Sequence, residues 1–263
     1  MDFAYSIAGL GVGLVVGLTG VGGGSLMTPL LVLLFGITPA TAVGTDLLYA
    51  SITKAGGVAV HGFKKTIDWK IVGWLAAGSV PASLLVVWYL ATHRSEAAVV
   101  GAGFSSLFSF SLGIMLLLTA LALVFRKRLQ QWAEHRSPEP VAVSRKPLYT
   151  VLLGAFIGAA VSLSSVGAGA VGVTALILLY PKLPIARIVG TDIAHAVPLT
   201  LIAGLGHASL GHVDLNLLGS LLIGSLPGVA IGSLLATRLP EIFVRHSLVV
   251  LLLITGGRLI FLR

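Results

Sequence analysis

The stretch LTGVGGGSLMTP, Leu18 to Pro29, sets Gly20, Gly22, Gly23 and Gly24 within five residues of otherwise apolar sequence. Each glycine weakens a helix by about 1 kcal/mol relative to alanine, so four together interrupt one. The interruption matters because its surroundings are those of a lipid-spanning chain. Of 263 residues, 56% are hydrophobic and 10% charged, and the mean hydropathy is +1.03. That composition excludes a soluble globular domain. The apolar runs 14–34, 71–90, 97–125 and 215–236 are each long enough to cross a hydrocarbon layer of ~30 Å as a helix. The alternating strands of a membrane β-barrel are missing. The expected fold class is an all-α polytopic membrane protein.

The glycine break recurs. A shift of 146 residues lays Gly44-Thr45-Asp46 on Gly190-Thr191-Asp192, His61 on His207, Asp68 on Asp214, and Gly78-Ser79 on Gly224-Ser225. Upstream, a shift of 145 lays Val21, Gly22 and Gly24 on Val166, Gly167 and Gly169. Each half therefore reads as a helix (3–18; 148–163), a break, a short apolar segment (26–36; 171–180) and three longer helices. These are 39–62, 69–91 and 97–125, matched by 184–208, 215–237 and 241–261. Thr38 before Pro39 reads as an N-cap followed by proline at the first helical position. The N-terminus MDFAYSIAGLGV carries an acidic residue where a secretory signal would be basic, so it reads as the first helix.

The halves, 1–125 and 148–263, flank a basic linker, 126–147, with six Lys or Arg and three prolines. The positive-inside bias assigns it to the cytoplasm. Lys64, Lys65 and Lys70 of the first half, and Lys182, Arg187, Arg238 and Arg245 of the second, all fall inside if the two halves are inverted and each broken pair reverses the chain. Topology and lipid headgroups therefore account for the net charge of +8, and no nucleic acid is expected as partner. Inverted repeats with interrupted helices are a plan of secondary transporters.

Irregular backbone at membrane depth needs protein or a water-filled cavity to satisfy it. Glycines turn backbone amides outward, and the short helix that follows offers its unpaired N–H groups and positive dipole end. That is an anion seat. The expected substrate-binding groups are Gly20, Gly22, Gly23, Gly24, Ser25 and Thr28 in the first half. Their counterparts are Ser165, with Ser164 beside it, Gly167 and Gly169 in the second, and Thr45 and Thr191 complete the set. Scattered glycines such as Gly9, Gly13, Gly17 and Gly113 read instead as helix packing. The run Gly167 to Gly172 matches the dinucleotide pattern G-x-G-x-x-G but lacks its strand, and is rejected.

Asp46 and Asp192 lie two turns into matching helices. A carboxylate there costs about 2.5–3.5 kcal/mol, so each should face a cavity or a partner. Asp192 and His195, at i and i+3, are spaced to bond directly and to exchange protons. Lys54 is the lysine within a span and is expected to neutralise Asp46 or attract the anion. Asp46, Asp192, His195 and Lys54 are the proton-coupling candidates. His61, His207, Asp68 and Asp214 repeat as well, but inverted halves would separate them, so no metal is expected. No cysteine is present, no cofactor motif is read, and neither H-E-x-x-H nor G-x-S-x-G occurs, so no enzyme is expected.

GLTGVGGGSLMTPLL (Gly17–Leu31) and TPATAVGTDLL (Thr38–Leu48), with the second copy SSVGAGAVGVTALILLYPKLPIARIVGTDIAH (Ser164–His195), resemble the sulfite exporter TauE/SafE family over essentially the whole chain. The resemblance implies a plasma-membrane permease for small sulfur anions such as sulfite, thiosulfate or organosulfonates, with proton coupling. The second copy departs from the denser glycine run at Ala168 and Ala170. The alternative is a passive anion channel or a membrane subunit without transport of its own. The sequence sets no oligomeric state, and a homodimer is compatible with it.

Overall fold

The computed structural model describes residues 3–19, 24–93, 101–135, 145–235 and 241–261. Among them the chain forms ten helices and no strand. The first half holds α1 (Phe3–Thr19), α2 (Gly24–Leu33), α3 (Pro39–Phe63), α4 (Trp69–Thr92) and α5 (Gly101–His135). The second holds α6 (Lys146–Ser164), α7 (Ala170–Leu179), α8 (Ile185–Ser209), α9 (Leu215–Leu235) and α10 (Glu241–Phe261). Five of the helices contain stretches long and apolar enough to cross a membrane, in α4, α5, α6, α8 and α9. Large apolar side chains such as Trp69, Trp88, Leu234 and Ile254 face outward, as a lipid-facing surface requires.

Small residues decide which helices pair. A Cβ on Gly9 would meet the Leu221 carbonyl, and one on Gly13 the Ser225 carbonyl, both at 2.4 Å. In the other half Gly154 and Gly158 approach the Leu75 and Ser79 carbonyls as closely, at 2.2 and 2.3 Å. Positions rise together along both pairs, so α1 runs parallel to α9 and α4 parallel to α6. Such contact of backbones, which only glycine permits, is how apolar helices associate where lipid offers no hydrophobic drive. The packing role expected for Gly9 and Gly13 is met, and Gly113 likewise packs against Gly256 and Ile260 of α10.

The equivalent helices α3 and α8 run the opposite way. Gly44 abuts His212 and His207, Gly204 abuts Leu48, Gly57 touches Ile193, and Gly190 abuts His61 and Thr66. Position along α3 rises as position along α8 falls. Near the middle, Ser51 donates to the Val197 carbonyl at 3.5 Å; these residues occupy the same place in the two copies, so an approximate two-fold axis passes between them. The contacts are reciprocal, as across an isologous interface. The Asp68 amide donates to Thr191 Oγ1 at 2.9 Å, and the Asp214 amide to Thr45 Oγ1 at 3.1 Å.

Contacts between α3 and α9, Thr45 with Asp214 and Tyr49 with Ser225, give those two helices one direction. So α1, α9 and α3 agree, and the chain between α1 and α3 has to return. The same holds for α6, α4 and α8, linked through Asp68–Thr191 and Ser79–His195. The returning helices α2 and α7 have ten residues each, about 15 Å at 1.5 Å per residue, half of a hydrocarbon layer. At one end of the molecule, Arg187 lies 3.4 Å from Asp68, which brings the basic loops around 64–70 and 182–187 together.

At element ends one expectation is corrected and one is met. Helix α5 continues to His135, ten residues into the segment read as linker, because Arg126 to His135 is rich in good helix formers and free of proline. Thr38 is the N-cap residue of α3, with Pro39 at the first helical position, but its side chain makes no cap bond and donates to Thr41 Oγ1 instead.

Candidate functional site

The second break is described in full. Helix α6 ends on Ser165 in the left-handed region at φ 57°, and Gly167 and Gly169 follow at φ 130° and 125°. Only glycine adopts the last two conformations without strain. Gly172 and Val173 then donate to the Gly167 and Gly169 carbonyls at 3.0 and 2.8 Å, which starts α7. Ser164 is used up locally, bonding to the Ala160 and Val166 carbonyls and accepting from the Val166 amide. Of the first break, Gly20, Gly22 and Gly23 lie outside the described residues. Gly24 and Ser25 are described only as the opening of α2.

Helices α3 and α8 carry both aspartates to this level. Asp46 is fully buried and accepts a hydrogen bond from Thr28 Oγ1 of α2. Beside the same carboxylate stands Ser165 of the opposite half, buried with its hydroxyl otherwise unbonded. One side chain of α3 thus sits between both interrupted segments. Asp192, 1% exposed, lies at the start of α7, close to the Gly169 amide. A Cβ on Gly172 would fall 2.2 Å from Asp192 Oδ1, so glycine is required there to admit the carboxylate. Neither oxygen of Asp192 completes a hydrogen bond.

Lys54 reaches into the same region. Its Nζ donates to the Ala168 carbonyl at 3.3 Å, and it is within electrostatic reach of Asp192 and, more weakly, of Asp46. Among the described residues Lys54 makes no ion pair with Asp46, and the second break draws its ammonium across. The expected Asp192–His195 bond is also absent. His195 Nε2 pairs with Ser79 Oγ of α4 at 2.7 Å, and Nδ1 has no partner. A spacing of three residues shares a face, but Asp192 projects to α7 and His195 to α4. Tyr49, the counterpart of His195, meets Ser225 of α9 in the reciprocal contact.

Thr45 and Thr191 are turned away from the aspartates and clamp the loops before α9 and α4. There Asp68 and Asp214 cap the next helix, accepting from Ile71 and Lys70 and from Leu217 and Asn216. His61 bonds Thr66 at 2.8 Å, and His207 bonds the Ser162 carbonyl at 2.8 Å. Reasoning from sequence did not assign Ser79, although the repeated Gly-Ser pair at 78–79 and 224–225 was its signal. It also did not assign Gly172 or the Ala168 carbonyl, and a backbone acceptor leaves no signal of its own.

The centre thus gathers two carboxylates, one ammonium, the hydroxyls of Thr28 and Ser165, and the open amide end of α7. Such a group can hold a small charged solute and exchange protons with it.

The sulfite exporter TauE/SafE family model matches residues 5–259. The probable membrane transporter protein YjnA of Bacillus subtilis (strain 168) is 40% identical over 264 residues, covering 99% of this chain and 100% of that protein. The probable membrane transporter protein YdhB of the same organism is 26% identical over 257 residues, covering 95% and 96%. A probable membrane transporter protein of Xylella fastidiosa (strain Temecula1 / ATCC 700964) is 27% identical, covering 87% and 82%. No solved structure matches the chain.

Proposed function

The chain belongs to the sulfite exporter TauE/SafE family and is a multi-pass membrane transporter, and from that premise we propose that it carries small sulfur oxyanions or organosulfonates in exchange with protons. The observation that carries this reading is the composition of the buried centre. Asp46 and Asp192 face a single ammonium, that of Lys54, among the described residues. Adding an oxyanion to two ionised carboxylates and one cation at membrane depth is repulsive at low dielectric. Uptake of a proton by a carboxylate removes that repulsion, so anion entry and proton uptake favour each other.

The seat itself is the pair of interrupted segments: Gly20, Gly22, Gly23, Gly24, Ser25 and Thr28 from one half, Ser165, Gly167 and Gly169 from the other. In this reading the halves lie upside down relative to each other in the bilayer, which the antiparallel run of α3 and α8 supports, and the site is opened from either face by rocking of one half against the other. The end carrying the Arg187–Asp68 pair, with its lysines, and the linker after α5 face the cytoplasm of a plasma membrane.

The test is uptake into proteoliposomes under an imposed pH gradient, with sulfite, thiosulfate, methanesulfonate and sulfoacetate in turn. Saturable uptake of at least one, accelerated by the gradient and abolished in Asp46→Asn, is the expected result. Uptake of none would contradict the reading.

A further inference from the structure

The start of α7 is already filled by a group of the protein's own, the Asp192 carboxyl. Resting on the reading of this site as an oxyanion seat, we infer that the Asp192 carboxylate is a tethered occupant which an arriving oxyanion displaces, whereas the Asp46 carboxylate is a fixed wall.

Three observations on the two carboxylates support this. Asp192 Oδ1 presses onto the first turn of α7 where a Cβ of Gly172 would lie, beside the Gly169 amide. That is where an external oxyanion would take its backbone donors. Second, the carboxylate is 1% exposed, yet neither oxygen completes a hydrogen bond, and no side-chain hydroxyl latches it. Asp46, by contrast, is latched by the Thr28 hydroxyl, whereas Thr174, the fifth residue of α7 as Thr28 is of α2, leaves its hydroxyl unbonded. Third, the displaced group has somewhere to go. Lys54 of α3 is within electrostatic reach, while α7 carries no titratable side chain. His195 on α8 is turned to Ser79 of α4, and α6 contributes only the Ser165 hydroxyl, beside Asp46.

The size of the occupant sets the class of ligand. A seat that a carboxylate fills, floored by the bare backbone at Gly172, admits one compact oxyanion head such as a sulfonate or thiosulfate terminus.

The experiment is binding of radiolabelled thiosulfate and sulfite to the purified full-length protein in detergent. Asp192→Asn removes the internal competitor, and binding is expected to tighten about tenfold or more. Asp192→Ala, which empties the start of α7, is expected to tighten binding likewise; this arm decides if Asp192→Asn does not fold. Binding by the wild type that Asp192→Asn weakens or leaves unchanged, or, where that variant does not fold, that Asp192→Ala weakens or leaves unchanged, overturns the inference alone. No binding by the wild type or by either variant overturns the inference together with the reading on which it rests.

Discussion

The outer frame and the centre of this protein treat its internal duplication in opposite ways. In the frame the halves are interchangeable: Gly78 meets Val151 as Gly224 meets Ser6, and Thr45 and Thr191 hold each other's loops. At the centre, matched positions carry different chemistry: Leu26 against Gly172, Tyr49 against His195 and Lys54 against Thr200. A duplicated scaffold supplies two equivalent ways of opening, one toward each face, while a single composite site needs each half to contribute something different.

The strongest way to break the frame is to fill its closest contacts. A Cβ on Gly78 would lie 1.9 Å from the Val151 carbonyl, and one on Gly224 1.8 Å from that of Ser6. Gly78→Leu and Gly224→Leu are each expected to abolish monodisperse protein on size exclusion. Gly73→Ala and Gly219→Ala, a matched pair with open space around both, should leave the elution profile unchanged. Folding of either leucine variant would mean that the halves do not depend on equivalent seams.

At the centre, Lys54→Thr gives both halves the residue of the second. It removes the ammonium within reach of both carboxylates, so the melting temperature should drop and thiosulfate uptake should fall by at least about 100-fold, about 2.7 kcal/mol. Retained uptake would assign the compensating charge elsewhere. A smaller effect comes from Thr28→Val, which makes the first carboxylate as unlatched as the second. Loss of a buried donor to Asp46 is expected to cost about 1–3 kcal/mol, read from the denaturation midpoint, and the effect should vanish in an Asp46→Asn background in a double-mutant cycle. Smallest are Thr45→Val and Thr191→Val, each losing one hydrogen bond to a loop amide, about 1 kcal/mol. Their shifts in midpoint should be equal, and unequal shifts would show the frame to be less symmetric than its contacts.

Much of the frame was legible in the sequence because repeats, apolar length and small residues are properties of the chain itself. The duplication, the interrupted segments and the packing glycines follow from composition and spacing. What sequence does not carry is the direction of a side chain once its neighbours are present. Thr45 adjoins Asp46, yet a rotation of about 100° per residue sends its hydroxyl to a loop of the other half. Asp192 and His195 share a helix face but answer to different helices, and Lys54 is drawn to a backbone carbonyl at Ala168. The end of α5 was missed for another reason: the charges of Arg126 to Glu134 mark the edge of the lipid, which is not the edge of the helix.

The account stands or falls on whether one oxyanion site is reached from both sides of the membrane. Counterflow measures this directly, with proteoliposomes loaded with unlabelled thiosulfate or sulfite and labelled anion supplied outside. The expected result is saturable entry of label that accelerates with internal anion and transiently exceeds the equilibrium level. Label entry that never saturates and ignores the internal anion, or no entry above empty liposomes for any sulfur oxyanion, would contradict it.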